Sequence, residues 1–128
     1  MVDYLRMHAD RQGFEVLTEA IAVAAADSLA LLADDTRLKI LWVLMQGEAN
    51  VGTVAELVGA KAPAVSQHLA KLRMAGMVEV RREGTFAFYR ASDDHITRIL
   101  VDLLDHTREE LAAQDAVKTQ MKDGQRPV

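Results

Sequence analysis

Apolar residues recur along this chain with two different periods, and the change of period separates helices from a hairpin. The Ala-rich stretch 14–33 has a period near 3.6 and predicts one long helix, or two short ones joined near Asp27-Ser28. The next stretch, "DDTRLKILWVLMQG", predicts a helix from about Asp35 to a stop at Gly47. Its apolar face is predicted to contain Leu38, Leu41, Trp42 and Met45.

Two shorter helices are predicted next, separated by a glycine. Thr53 and Glu56 have the spacing of a capping box, which predicts a short helix that begins at Thr53 and stops at Gly59. In "APAVSQHLAKLRMAG", Pro63 suits the first helical position, and Gly76 ends the helix. Residues at i, i+4 and i+7 should face the core, namely Val65, Leu69 and Leu72.

The period then changes to two. "MVEVRREGTFAFYRA" alternates apolar and polar residues around the turn "REGT", where Gly84 can adopt positive φ, so it predicts a hairpin. A closing helix is predicted from Ser92, its N-cap. Its apolar positions are Ile96, Ile99, Leu100, Leu103 and Leu104. The order α1-α2-α3-α4-β1-β2-α5 is mainly α with a small β-hairpin, the plan of a winged helix-turn-helix.

Composition limits the remaining possibilities. With 128 residues, half of them hydrophobic, we expect one domain at 14–113, a flexible N-terminal arm at 1–13 and a polar C-terminal tail at 114–128. The absence of cysteine excludes disulfides and thiolate metal sites. No apolar run approaches the roughly 20 residues of a membrane span, and the N-terminus does not have the pattern of a signal peptide. We therefore expect a cytoplasmic protein without a membrane partner.

Charge is distributed unevenly. The net charge is −4, yet residues 53–91 contain six basic and three acidic side chains, a local charge of +3. Residues 1–52 and residues 92–113 each have a net charge of −4. Because nucleic-acid affinity depends on the local field at the contact surface, the middle of the chain is the candidate DNA-binding region.

Three segments together are similar to a known family. "LADDTRLKILWVL", "VAELVG" and "APAVSQHLAKLRMAGMVEVRREGTFAFYRAS" resemble the ArsR/SmtB family of small winged-helix repressors, many of which sense metals. The resemblance covers about residues 27–110. It implies a homodimer that binds double-stranded operator DNA, with the helix around residues 63–75 in the major groove and the hairpin as a wing.

The residues of that helix agree with this expectation. With the apolar positions buried, Ala64, Ser66, Gln67 and Lys71 lie on or beside the opposite face, and Ser and Gln can hydrogen-bond to base edges. Cationic side chains near the helix ends and the wing turn suit phosphates, although each could be an ordinary solvated residue. The full candidate set is Lys61, Pro63, Ala64, Ser66, Gln67, Lys71, Arg73, Arg81, Arg82 and Thr85. His68 is expected to be structural.

Two histidines on the closing helix suggest a metal site. His95 and His106 are 11 residues apart, which places them on one face but about 16 Å apart along the axis, too far for one ion. Two antiparallel copies remove this difficulty, because His95 of one helix then faces His106 of the other. Asp93 and Glu109 lie beside them, so each site would contain two imidazoles and two carboxylates. The alternative is that the histidines are hydrogen-bonded interface residues and that the acidic side chains in the first turn interact favourably with the helix dipole.

The same four positions match the zinc-type sensor site on the last helix of the resembled family. A site of nitrogen and oxygen donors favours Zn(II), with Co(II) or Ni(II) possible, and the resemblance implies that metal releases the repressor from DNA. Other effectors, or none, stay open, as do the operator sequence, a contribution from His8 and the role of Asp102. An enzyme is the less favoured class, because four protein ligands leave no open metal position.

Overall fold

The computed structural model describes residues 13–92 and 94–122, and its elements occur in the predicted order. They are α1 (Glu19–Leu32), α2 (Asp35–Gln46), α3 (Val51–Val58), α4 (Ala62–Met74), β1 (Val78–Glu83), β2 (Phe86–Ala91) and α5 (Asp94–Lys122). The chain divides into two units, residues 1–38 and residues 39–128. None of the helices in the described ranges has both the length and the apolar character that crossing a bilayer requires.

The first unit contains α1. This helix begins at Glu19, later than the predicted start at residue 14, because Thr18 caps it: its Oγ1 accepts a hydrogen bond from the Ile21 N–H at 3.2 Å. The helix is continuous through Asp27 and Ser28, so of the two predicted alternatives the single helix is confirmed. The predicted arm, residues 1–13, lies outside the described residues except for Gly13.

The second unit is built around an apolar core. Its most deeply buried side chains come from α2, α3, α4 and α5, and they are Ile40, Leu41, Leu44, Val54, Val65, Leu69, Leu72 and Leu100. On α2 only Leu41 of the predicted face is buried; Leu38, Trp42 and Met45 are half-buried. The helix buries Ile40 and Leu44 instead, so the predicted face was rotated from the observed one.

The helices α3 and α4 form the helix-turn-helix. Asn50 Oδ1 accepts a hydrogen bond from the Thr53 N–H at 2.8 Å, so α3 begins at Val51 and the predicted cap at Thr53 is wrong. Gly59 ends α3 with φ 72°, a left-handed conformation that glycine adopts without strain. Pro63 lies in the first turn of α4, and Val65, Leu69 and Leu72 are buried as predicted.

The strands β1 and β2 form the predicted hairpin. They pair antiparallel from Val78↔Ala91 to Glu83↔Phe86, around a two-residue turn in which Gly84 has φ 60°. The backbones of Ala49 and Tyr89 exchange hydrogen bonds of 3.0 and 2.9 Å, which attaches β2 to the α2–α3 connection. The Ser92 hydroxyl donates to the Gly76 carbonyl at 2.9 Å and fixes the other end of the hairpin.

The closing helix α5 is longer than predicted. It has 29 residues and ends at Lys122, so it extends into the segment that was expected to be a polar tail. Leu100 is buried, and the Arg108 guanidinium lies 5.3 Å from the centre of the Trp42 ring. Ile99 and Leu103 remain 48% and 45% exposed, so this helix presents an uncovered apolar stripe.

Candidate nucleic-acid interface and metal-site residues

The exposed face of α4 carries polar and small side chains, except for the large apolar Met74. Gln67 and Pro63 lie opposite the buried residues and are exposed, as are Ala64, Ser66 and Lys71 beside them. Ala70 and Met74 share this face, and Met74 is 90% exposed. They were not predicted, although their i+3 and i+7 spacing from Gln67 places them there.

One flank of α4 faces the hairpin. Ser66, Ala70, Arg73, Met74 and Tyr89 line an open concavity of about 410 Å³ between α4 and β2. Tyr89 was absent from the predicted set, because only the tertiary structure brings β2 beside α4. The half-buried His68 lies nearer the core, which agrees with its expected structural role.

The basic side chains of residues 53–91 fall into two groups. Lys61, Lys71, Arg73 and Arg82 are exposed and form no ion pair within the described ranges. Arg90 pairs with Glu79 across the strands, and Arg81 pairs with Glu48 and Glu83. The basic side chains without an ion pair therefore lie at the start of α4, along α4 and at one position of the hairpin.

Arg81 and Arg82 lie on opposite faces of the hairpin, because successive strand residues alternate. Arg82 is on the face of Val80 and Tyr89, and Tyr89 borders α4. Arg81 is on the other face, with its cross-strand partner Phe88, whose ring centre is 4.9 Å from the guanidinium. Thr85 is exposed in the turn. The predicted wing arginines therefore have different surroundings.

The Arg81 guanidinium bridges two carboxylates. Its Nη2 lies 3.0 Å from Glu48 Oε1, its Nε donates to the same carboxylate at 3.2 Å, and its Nη1 lies 2.6 Å from Glu83 Oε2. These hydrogen bonds hold the pKa of the Glu48 carboxyl below its usual value. They also raise the pKa of Arg81, with Glu48 the larger cause and Glu83 the next.

The predicted metal ligands lie on or just before α5. His95 is exposed in the first turn, and His106 and Glu109 are exposed near the middle of the helix, whereas Asp93 lies outside the described residues. His106 Nε2 is 3.2 Å from Glu110 Oε1, a carboxylate that was not predicted as a partner. Among the described residues of one chain, no three His, Asp or Glu side chains are grouped to hold a metal ion.

Comparison with known proteins identifies the family. The model of the "bacterial regulatory protein, arsR family" matches residues 34–80. The HTH-type transcriptional regulator KmtR of Mycobacterium tuberculosis is 44% identical over 96 residues, which cover 75% of this chain and 73% of that protein.

Two solved structures show the same fold in related proteins. The AntR antimony-specific transcriptional repressor aligns with TM-score 0.72 and 31% identity, covering 79% of this chain and 92% of that one. The homodimeric winged helix-turn-helix DNA-binding domain Mb0332 of Mycobacterium bovis aligns with TM-score 0.62 and 33% identity, covering 74% and 91%. These relatives are transcriptional regulators rather than enzymes. This winged helix-turn-helix chain therefore belongs to the ArsR family of bacterial transcriptional regulators.

Proposed function

We propose that this regulator is a homodimeric repressor that binds operator DNA through α4 and the wing, and that zinc releases it. The observation that carries the proposal is the unpaired polar and cationic surface formed by α4 and Arg82. Lys61, Lys71 and Arg73 keep their charges available for phosphates, because no described carboxylate neutralises them. A DNA partner also agrees with the expected cytoplasmic location.

Sequence readout is assigned to the outward residues of α4. Gln67 and Ser66 are exposed at positions from which they can hydrogen-bond to base edges in a major groove. Lys61 is the N-cap residue of α4 and makes no side-chain cap, so the first-turn amides are open to a phosphate. The exposed methyl-bearing Met74 adds an apolar contact of the kind that suits a thymine methyl group.

The dimer is supported by α5. Ile99 and Leu103, one turn apart, leave about half of each side chain in water, which a partner surface would cover. A related solved domain is described as homodimeric. Two copies related by a two-fold axis would bring both α4 helices to successive turns of a palindromic operator.

The metal residues fit a zinc site in donor chemistry. The pairs Asp93 with His95 and His106 with Glu109 offer nitrogen and oxygen atoms, and the described histidines are exposed on one continuous helix. We infer that Asp93 and His95 of one chain join His106 and Glu109 of the partner subunit. Zn(II) suits such a four-ligand set, and Co(II) is its mimic. When bound, the ion crosslinks the two α5 helices and stabilises one dimer geometry.

A solved structure bears on the choice of effector. A regulator of the same fold is described as antimony-specific, so the fold alone does not select zinc. Nickel, cobalt, a non-metal effector or none are the alternatives, and nickel in octahedral geometry takes six ligands, more than this set of four. Residue His8, which could supply one, lies outside the described residues.

The test combines metal titration with DNA binding. Isothermal titration of metal-free protein with zinc, cobalt and nickel should show tight zinc binding, with two ions for each dimer. Fluorescence anisotropy on a duplex selected by the protein from a randomised pool should then show affinity falling about 5- to 150-fold with zinc, the range of typical allosteric coupling. Failure of the metal-free protein to bind any duplex at low salt would contradict the DNA-binding role. Unchanged affinity with zinc bound would contradict the effector role alone.

A further inference from the structure

The connection between α2 and α3 is tied to the wing by a side-chain contact that local sequence does not show. Glu48 lies in this connection, 33 residues before Arg81 in β1, and the two side chains share three donor–acceptor contacts of 3.0 to 3.2 Å. Arg81 also reaches Glu83 and the face of Phe88. This Glu48–Arg81 clamp therefore joins the α2–α3 connection to the face of the hairpin that carries Phe88.

The charge of this group argues against a phosphate contact. Arg81, Glu48 and Glu83 together carry a net charge of −1, so the group does not attract an anion. A phosphate would have to displace two carboxylates that already occupy the guanidinium donors. Arg82 has neither partner and faces the side of the hairpin that borders α4. Arg82 is thus suited to contact a phosphate, whereas Arg81 is not.

The clamp acts where the hairpin would otherwise be held by few contacts. Beyond the buried Val78, the strand residues of β1 become exposed toward the tip. The Ala49–Tyr89 backbone bridge holds β2, and the neighbouring Glu48 holds β1 through Arg81. Both attachments come from the same short connection, so together they set the angle of the hairpin against the helix-turn-helix.

We propose that Arg81 and Glu48 are positioning residues, which orient the wing so that Arg82 meets the DNA backbone, and that Arg81 itself makes no DNA contact. This inference rests on the proposed DNA-binding function and deepens it. It assigns an acidic side chain, Glu48, a favourable role in binding a polyanion, which charge alone would not suggest.

The direction in which Glu48→Gln changes DNA affinity tests this inference. Removing an acidic charge from a DNA-binding protein should strengthen binding if only the field matters. We expect the opposite for Glu48→Gln: affinity about 3- to 10-fold weaker, because the wing loses its orientation. The matched control is Glu56→Gln on α3, an exposed glutamate with no ion pair in the described ranges, which should bind equally well or more tightly.

The salt dependence separates positioning from contact. Anisotropy titrations over a salt series, on one labelled duplex selected by the wild-type protein, give the slope of log affinity against log salt. Arg81→Gln and Glu48→Gln should weaken binding and lower the slope alike, by no more than about 0.9, the value for one phosphate contact, because both act through Arg82. In a protein that already carries Arg82→Ala, Arg81→Gln should leave the slope unchanged, whereas a direct Arg81 contact would lower it further, by about 0.9. The double variant of Glu48 and Arg81 should be no weaker than either single variant, since the two residues act as one unit.

The possible results distinguish failure of the positioning role from failure of the proposed function. Tighter binding by Glu48→Gln, or a further fall in slope when Arg81→Gln is added to Arg82→Ala, overturns the positioning role while wild-type binding stands. Absence of wild-type binding overturns the proposed function and this role together, and is seen before any variant is made. Thermal unfolding of each variant, measured in parallel, shows that it is folded at the assay temperature.

Discussion

Whether a cationic side chain is available to a ligand depends on its immediate partners. Lys71 and Arg73, near the end of α4, have none among the described residues, whereas Arg90 pairs with Glu79 across the hairpin. Net charge sums these groups and hides the difference. The surface that could attract a polyanion is therefore smaller, and more positive, than the net charge of residues 53–91 indicates.

Replacing Arg82 and Gln67 should affect DNA binding in different ways. Arg82→Ala should weaken binding to all duplexes about equally and lower the salt slope by about 1, because one phosphate contact is lost. Gln67→Ala should leave the slope unchanged and reduce the preference for the selected duplex over scrambled ones, since a base contact is lost. Anisotropy with both duplexes over a salt series measures both effects.

Arg90→Ala is the control for the loss of one positive charge. Arg90 is exposed on the opposite face of the hairpin and is paired with Glu79, so its removal should leave the salt slope unchanged. Equal slopes for the Arg82 variant and the wild type would exclude Arg82 from the interface.

Each element begins and ends where a particular local contact forms. Gly59 and Gly76, with φ 72° and 75°, end α3 and α4 where their sequence positions predict. The start of α3 was harder to predict, because Asn50 and Thr53 are both good N-cap residues three positions apart. The structure shows Asn50 as the cap, and the Thr53 amide as its donor.

Asn50→Ala should lower the free energy of unfolding by about 1 kcal/mol, the usual effect of removing an N-cap. Thr53→Ala should not lower the free energy of unfolding, because Thr53 lies within the helical segment, where alanine has the higher helix propensity. Urea unfolding followed by circular dichroism measures both free energies. A larger loss for the Thr53 variant than for the Asn50 variant would restore the capping box.

Much of the fold could be predicted because its signals are local. The buried face of α4 and the turn at Gly84 follow from spacing and residue type alone. The extension of α5 to Lys122 was not predicted, because the segment after residue 113 is polar, although many of its residues are good helix formers. The pairing of Arg81 with Glu48 could not be predicted either, since it joins residues distant in sequence.

At the scale of the whole molecule, the exposed stripe of α5 predicts self-association. Sedimentation should give a mass of about 28 kDa, twice the chain mass of 14.1 kDa. Ile99→Asp should yield a monomer, because it would place a charge in the apolar interface. Leu57→Asp, at an exposed leucine on α3, is the control and should remain dimeric. A wild-type monomer at micromolar concentration would remove the shared metal sites as well.

Metal binding can be tested with a dimer made from two different variants. Zinc should bind tightly to neither the His95→Ala nor the His106→Ala homodimer, because each site loses an imidazole. A mixed dimer of the two should bind one zinc, since one of its sites loses both imidazoles and the other keeps all four ligands. Isothermal titration of the purified mixed dimer counts the ions. Binding of none, where wild type binds two, would contradict the cross-chain pairing.

The alternation of side chains along β1 also makes the wing sensitive to insertions and deletions. If one residue before Arg81 were deleted while the pairing with β2 was kept, each later side chain would move to the opposite face. Arg82 would then take the place of Arg81 opposite Glu48, and Glu83 would take the place of Arg82 beside α4. The clamp would keep its arginine, while the surface proposed to face DNA would change from positive to negative. Substitutions here change affinity by degrees, but a change in strand length would reverse the electrostatic character of the wing.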